Sequence, residues 1–355
     1  MRGVNISGRA RKTAVGALAT MALAAGGMTM TTGAQAAIAG GGQAGTGRAV
    51  AAAATGGPAI AAGAITSAAP AATCAPGLNV YNRFQVCWRV GVTVTVLRSG
   101  ASAGTVTFDV THVLALSARS LSFSEAVSVS DVQVAGNASG VQLGLQPACA
   151  APCAVTSHFP QGQVIANGLA GTIDYQDPVA AGQSQAARVS YALSFTKPGD
   201  ASGGYTYQMP VGFRCDDALA GLAGGCVFPS YTPYLTTLAA LPDVARNAIA
   251  AEGGPGHYGK PGGGHPLHRV TSAAAASANY DAVCAPAVAG KPPRSGVTCD
   301  EFPLRASHEG GTAVGKADRR TAWVPASQET AKNSSIASFF AANRVLDGDG
   351  FWVSV

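Results

Sequence analysis

The chain has 355 residues, of which 47% are hydrophobic and only 12% charged, with 23 Lys and Arg against 18 Asp and Glu. Four of the basic residues (Arg2, Arg9, Arg11 and Lys12) lie in the first 36 positions, which hold no acid, so the remainder is close to neutral. That balance excludes an overall basic field of the kind that gathers nucleic acid non-specifically, and any polyanion binding must come from a local patch.

Residues 1–36 read as an export signal. The four basic residues precede an apolar stretch at 14–25, too short to span a bilayer, and Ala34-Gln35-Ala36 offers a small-x-small cleavage site. No later run is long and apolar enough to suggest a membrane helix, so a secreted, extracellular protein is expected. Eight cysteines fit an oxidising route: Cys74, Cys87, Cys149, Cys153, Cys215, Cys226, Cys284 and Cys299. Taken in order they form four local pairs, and nearest-neighbour disulfides are expected. Residues 37–73 are nearly all Ala, Gly, Thr and Ser, a composition that buries too little apolar surface to offset its ordering entropy, and they read as a flexible linker or a trimmed propeptide.

From 74 to 225 the pattern has period two. Val90, Val92, Val94 and Val96 alternate with small or polar residues, and Val106, Phe108 and Val110 repeat the theme. Similar runs at 121–129, 131–134, 163–165, 187–195 and 205–211 predict further short strands. Such spacing predicts an all-β, sandwich-like domain. It carries no constellation of acids and nucleophiles; His112 and His158 stand alone as core or surface histidines. A spacer, or a module contacting cell wall or matrix, is the expected role.

Residues 226–355 have a different texture. Pro242, Asp243 and an Ala-rich continuation predict a helix over 242–251, and 273–282 predicts a second. Between them a Gly-rich loop holds His257, Lys260, His265, His268 and Arg269. It reads equally as a phosphate-tracking loop through Lys260 and Arg269 or as a solvated loop. A metal site from His257, His265 and His268 matches no standard spacing.

The densest chemistry is Cys299-Asp300-Glu301-Phe302-Pro303-Leu304-Arg305-Ala306-Ser307-His308-Glu309-Gly310-Gly311. A strand is predicted at 319–324, then a helix starting at Asn333-Ser334-Ser335, with Ile336, Phe339, Phe340 and Asn343 on one face. A final strand is predicted at 351–355, and Asp347-Gly348-Asp349-Gly350 reads as a turn rather than a calcium loop. Acid-bearing strand, strand, helix is the order of ββα-metal nucleases. Phosphodiester hydrolysis needs a deprotonated water, neutralised phosphate oxygens and a stabilised leaving oxygen. A carboxylate base, one divalent ion and an Arg such as Arg305 supply all three.

The 299–311 stretch also resembles the NucA/NucB family of secreted bacterial deoxyribonucleases. So do Pro325-Ala326-Ser327, Asn333-Ser334-Ser335 and the run from Asn343 to Asp349. Gly225-Cys226-Val227-Phe228-Pro229 and Gly264-His265-Pro266-Leu267-His268-Arg269 resemble it more loosely, so the likeness extends over roughly residues 213–355. The resemblance implies a small α+β, ββα-metal-type nuclease domain that cleaves DNA with Mg²⁺ or Mn²⁺. It implies Asp300 as the base, with Glu301 beside it; strand alternation turns one of the two away. His308, standing where the family has a small or acidic residue, makes a His base a rival. Glu309 would serve the metal or phosphate, Asn333 would ligate the metal, and Asn343 would support it. Arg319, Arg320 and Arg344 are candidate phosphate contacts. Asn279-Tyr280-Asp281 stands where the family has a more basic stretch. The alternative is a catalytically silent DNA-binding or cell-surface adhesion module that keeps the fold.

Overall fold

The computed structural model describes residues 48–55, 59–60, 74 and 78–355. The expected export signal lies outside them, as does most of the expected linker. Within that linker, Arg48–Thr55 forms a strand antiparallel to Gln85–Arg98, with Ala52 opposite Val94. A flexible segment was expected there from composition. The edge of Gln85–Arg98 presents a row of backbone donors and acceptors, and a chain need only bring its own backbone to satisfy them.

The first part of the described chain is mostly β-strand. Gln85–Arg98, Ala101–Ser117 and Ser120–Gly136 form an antiparallel meander that continues through Ala170–Gln176 to Ala154–Ser157. A second sheet runs Gly203–Gln208, Val189–Thr196, Gln142–Cys149 and Gln163–Val164. Alternation sends Val92, Val94, Phe108 and Val110 of the first sheet and Leu143, Leu145, Leu193 and Phe195 of the second into one core. Phe108 and Phe195 meet edge to face across it, with ring centroids 6.3 Å apart. Each such side chain contributes about 1.5–3 kcal/mol by leaving water.

This core holds one polar knot. His112 is fully buried, stacked on Trp88, and its two ring nitrogens meet Glu125 and the Tyr207 hydroxyl. Tyr175 and Tyr191 both donate to the second Glu125 oxygen, at 2.6 and 2.9 Å. His112 is thus a core histidine. His158 is an exposed partner of Asp174.

The second part is a small α/β region with its own core. Helix α1 (Pro242–Glu252) starts with Pro at its first turn and Asp243 beside it. Helix α2 (Ala273–Cys284) is capped by the Ser272 hydroxyl, which accepts from Ala275 N. A single turn, α3 (Pro286–Ala289), follows. The acid strand Val297–Phe302 then pairs antiparallel with the return strand Arg320–Pro325, and helix α4 (Ala326–Ala342) follows directly. The last strand, Gly350–Val353, lies between Tyr234–Leu235 and Leu267–His268. Leu235, Leu267, Phe302, Phe339, Phe340 and Phe351 share the core.

Helix α4 begins seven residues earlier than Asn333. Its first turns, Ala326 to Lys332, are built from good helix formers, and Pro325 closes off the strand before them. Asn333, Ser334 and Ser335 therefore sit inside the helix rather than at its cap. The buried face runs Glu329, Lys332, Ile336, Phe339 and Phe340. Asn343, expected on that face, is the C-cap residue, its amide folded back onto Phe339 O.

All four disulfides join nearest neighbours: Cys74–Cys87, Cys149–Cys153, Cys215–Cys226 and Cys284–Cys299. The β-rich part and the small α/β part are joined by arginines. Arg214 makes a two-pronged contact with Asp349, at 2.8 and 2.9 Å. Arg83 donates to Asn343 O, Arg344 O and Asp349, while Arg344 reaches back to Asp216, Ala118 O and Ala223 O. Gly225 lies at this junction. A Cβ there would collide with the backbone carbonyl of Ala118. Among the described residues no helix is long and apolar enough to cross a membrane.

Candidate active site

The acid strand buries Cys299, Asp300, Glu301 and Phe302 in succession. Two helices, α1 and α4, reach it with the side chains that complete the site. From α1, Asn247 Nδ2 donates to an Asp300 carboxylate oxygen at 2.7 Å. From α4, Lys332 Nζ lies 2.5 Å from the other Asp300 oxygen, 3.4 Å from Glu301 and 2.8 Å from Glu329. Reciprocal bonds between Asp243 of α1 and the Gln328 side chain hold the two helices in place, each at 2.9 Å.

Both neighbouring acids thus reach one point, although one of the two was expected to point away. Strand alternation fixes the direction of Cβ. The carboxylates lie further out on flexible stems, and the lysine reaches in between them.

Asp300, Glu301 and Glu329 each place an oxygen within 4.8 Å of the others'. Among the described residues this is the one grouping of three His, Cys, Asp or Glu with such geometry. The second Glu301 oxygen, Oε2, is buried and has no hydrogen-bond partner. Burial pushes the Asp300 carboxyl up to about 6, against the pull of Lys332 and the Asn247 bond. Burial also raises Glu301. For Lys332, burial works to lower the value, but the three carboxylates outweigh it and hold the ammonium above its ordinary range.

Two expected residues join this cluster. Asn333 donates to Glu329 at 3.1 Å, one turn along α4. Arg305 lies over the Tyr280 ring, its backbone N–H bound to Glu301 and its guanidinium 3.9 Å from Glu329. The loop that carries it is braced by Asn279, which donates to the carbonyls of Arg305 and Ser307. Gly310 and Gly311 pack against the same Asn279, leaving no room for a Cβ, and Gly311 has a positive φ of 63°. The segment 279–281 therefore supports the site loop.

Other expected site residues are placed elsewhere. Glu309 is bound to His268, at 2.7 Å to the ring and 2.8 Å to the backbone N–H. His308 is half-exposed, with Asp347 at 3.7 Å. His257 contacts Glu252 O and His265 lies against Tyr258, so the three loop histidines do not converge. Arg269 packs on Phe340 and donates to Val345 O. At about 1.5 Å per residue, Asn343 lies roughly 16 Å along α4 from Lys332. Arg344 is fully buried against Asp216, which removes it from solvent and from any phosphate. Lys260 is exposed on its loop.

A cleft of ≈ 480 Å³ opens beside the cluster. Glu301, Phe302 and Pro303 line it together with Ala282, Val283, Val288 and Ala289 of α2 and α3. Lys316, Arg319 and Arg320 line it too. Arg319 and Arg320 were expected near phosphate; Lys316 was not singled out. Sequence reasoning also missed Asn247, Glu329 and Lys332. Extending the apolar stripe of α4 backwards from Ile336 in helical steps would have found the last two.

A small α/β region with buried carboxylates beside a basic cleft has the parts of a nuclease of the hydrolytic class. Residues 265–354 match the family Deoxyribonuclease NucA/NucB, so the C-terminal region carries a nuclease domain of that family. No curated protein and no solved structure matches the chain. The matched segment begins after α1, and so leaves out Asn247, which holds Asp300.

Proposed function

We propose that this chain is a secreted, metal-dependent endonuclease that hydrolyses phosphodiester bonds of DNA in a ββα-metal-type site. The observation that carries the reading is the buried meeting of Asp300, Glu301 and Glu329, with Glu301 Oε2 unpaired, inside a family-matched nuclease domain. The donor set is all oxygen, which suits Mg²⁺ or Mn²⁺. Glu301 and Glu329 would hold the ion, with the Asn333 amide steadying Glu329. When bound, the ion supplies charge neutralisation at the phosphate and lowers the pKa of a coordinated water.

Asp300 is the favoured base. Its carboxyl, lifted to about 6, stands near neutral pH, where a general base works best. The Asn247 bond fixes its orientation. Arg305 is poised for the phosphate, and Lys316, Arg319 and Arg320 give the strand a basic wall along the cleft. His308, half-exposed and turned to Asp347, is the weaker candidate. Export is supported by the basic, apolar leader and by four disulfides, which suit an oxidising compartment.

A plasmid-nicking assay tests the reading. EDTA-sensitive cleavage is expected, reduced about 10²–10⁴-fold in Asp300→Asn and little changed in His308→Ala. Binding without cleavage would instead favour a silent DNA-binding module, and a dead His308→Ala beside an active Asp300→Asn would reverse the choice of base.

A further inference from the structure

We propose that Lys332 is a resident cation of the acid cluster, which a divalent ion must displace in order to bind. This rests on the reading of Glu301 and Glu329 as the groups that would hold the metal, with Asp300 beside them as the base. Lys332 is the one buried lysine among the described residues. It projects from α4 one turn beyond Glu329, and its ammonium sits 2.5, 2.8 and 3.4 Å from three separate carboxylates. Those distances place Nζ in the space the oxygens enclose. A Mg²⁺-sized ion needs oxygens at about 2.0–2.1 Å. Bound to the same oxygens, it would lie within contact distance of the ammonium, with like charges facing each other.

Both cations cannot keep that position. The lysine is the one that can leave, because its four-carbon stem is flexible. Each carboxylate is held by a second hydrogen bond, Asp300 by Asn247, Glu301 by the Arg305 backbone N–H and Glu329 by Asn333. Lys332 therefore has two consequences. It supplies one positive charge to three buried carboxylates in the absence of metal, which lowers the cost of folding before the site is loaded. It also weakens metal binding by the work of moving the ammonium aside.

Mn²⁺ binding to the full chain, followed by the electron paramagnetic resonance of the free ion, tests this without recourse to activity. Lys332→Gln is expected to bind at least about tenfold tighter than wild type, a difference of 1.4 kcal/mol or more. Its melting temperature is expected to fall in EDTA and to rise more than wild type on adding Mn²⁺. Equal or weaker binding by the variant overturns the displacement while leaving the metal site standing. Absence of Glu329-dependent Mn²⁺ binding in both chains overturns the metal reading and this inference with it. If Lys332→Gln fails to fold, wild type suffices, since the chain has only six lysines. Reductive methylation read by mass spectrometry should find Lys332 protected in EDTA and modified at saturating Mg²⁺. Protection unchanged by Mg²⁺ overturns the proposal.

Discussion

Arg344 and Asp216 form an ion pair in which neither side chain is exposed to solvent, although 128 residues separate them in sequence. Asp216 belongs to a strand tied by the Cys215–Cys226 disulfide, while Arg344 directly follows the C-cap of the helix that carries Glu329 and Lys332. The pair therefore links the β-rich part to the far end of the site helix. Arg344 also adopts a positive φ of 45°, a conformation that non-glycine residues rarely keep without surrounding support. Removing the guanidinium by Arg344→Met would leave the buried Asp216 with only Arg214 Nε, 3.5 Å away, as a cationic partner, at a cost of about 3 kcal/mol. A urea titration should show the midpoint falling accordingly. Adding Asp216→Asn should recover part of the loss, because the stranded charge is then gone. A single variant within 1 kcal/mol of wild type, roughly the worth of a surface pair, would mean the pair is not buried as described.

Glu252 supplies a pH dependence remote from Asp300 in sequence. It is buried at the end of α1 with one oxygen unpaired, and burial pushes its carboxyl from 4.5 up to about 7, with Lys260 opposing. A folded value above the unfolded one means that the contribution to stability is full below about pH 4.5. It is lost as the pH rises through about 7. Glu252→Gln keeps the size and has no charge to bury. Its melting temperature should therefore gain on wild type as the pH is raised from about 5 to about 8. A difference that stays constant over that range would contradict the burial of this carboxyl.

Asn279 should matter for activity although it does not touch the acid cluster. Its amide ties the carbonyls of Arg305 and Ser307, and Gly310 and Gly311 close on it. Asn279→Ala should cost about 1–3 kcal/mol, the usual penalty for leaving buried polar groups unpaired. It should also raise KM for DNA more than it lowers kcat, because Arg305 is freed while Asp300 remains held. A loss confined to kcat would place the effect at the acids instead.

What was legible in the sequence followed from local rules. Alternating valines gave the strands, Pro242 and Asp243 gave the start of α1, and the cysteines paired with their neighbours because each pair lies close along the chain. The strand–strand–helix order around Asp300 was legible for the same reason. Lys332 was not, because a lysine is almost never buried unless paired, and two of its three partners, Asp300 and Glu301, sit on another element. Asn333-Ser334-Ser335 read as a cap because those residue types favour helix starts, yet Pro325 and the Ala326–Lys332 run started the helix first. Arg344 read as a phosphate contact because its true partners, Asp216 and the Ala118 carbonyl, are brought to it only by tertiary packing.

The Cys284–Cys299 bridge joins the end of α2 to the residue immediately before Asp300. Thiol reagents added to storage or assay buffers would therefore act one peptide unit from Asp300, the proposed base. A preparation kept in dithiothreitol would report on a molecule whose acid strand has lost its covalent anchor. Low turnover measured that way would reflect the handling of the sample and not the competence of the chain.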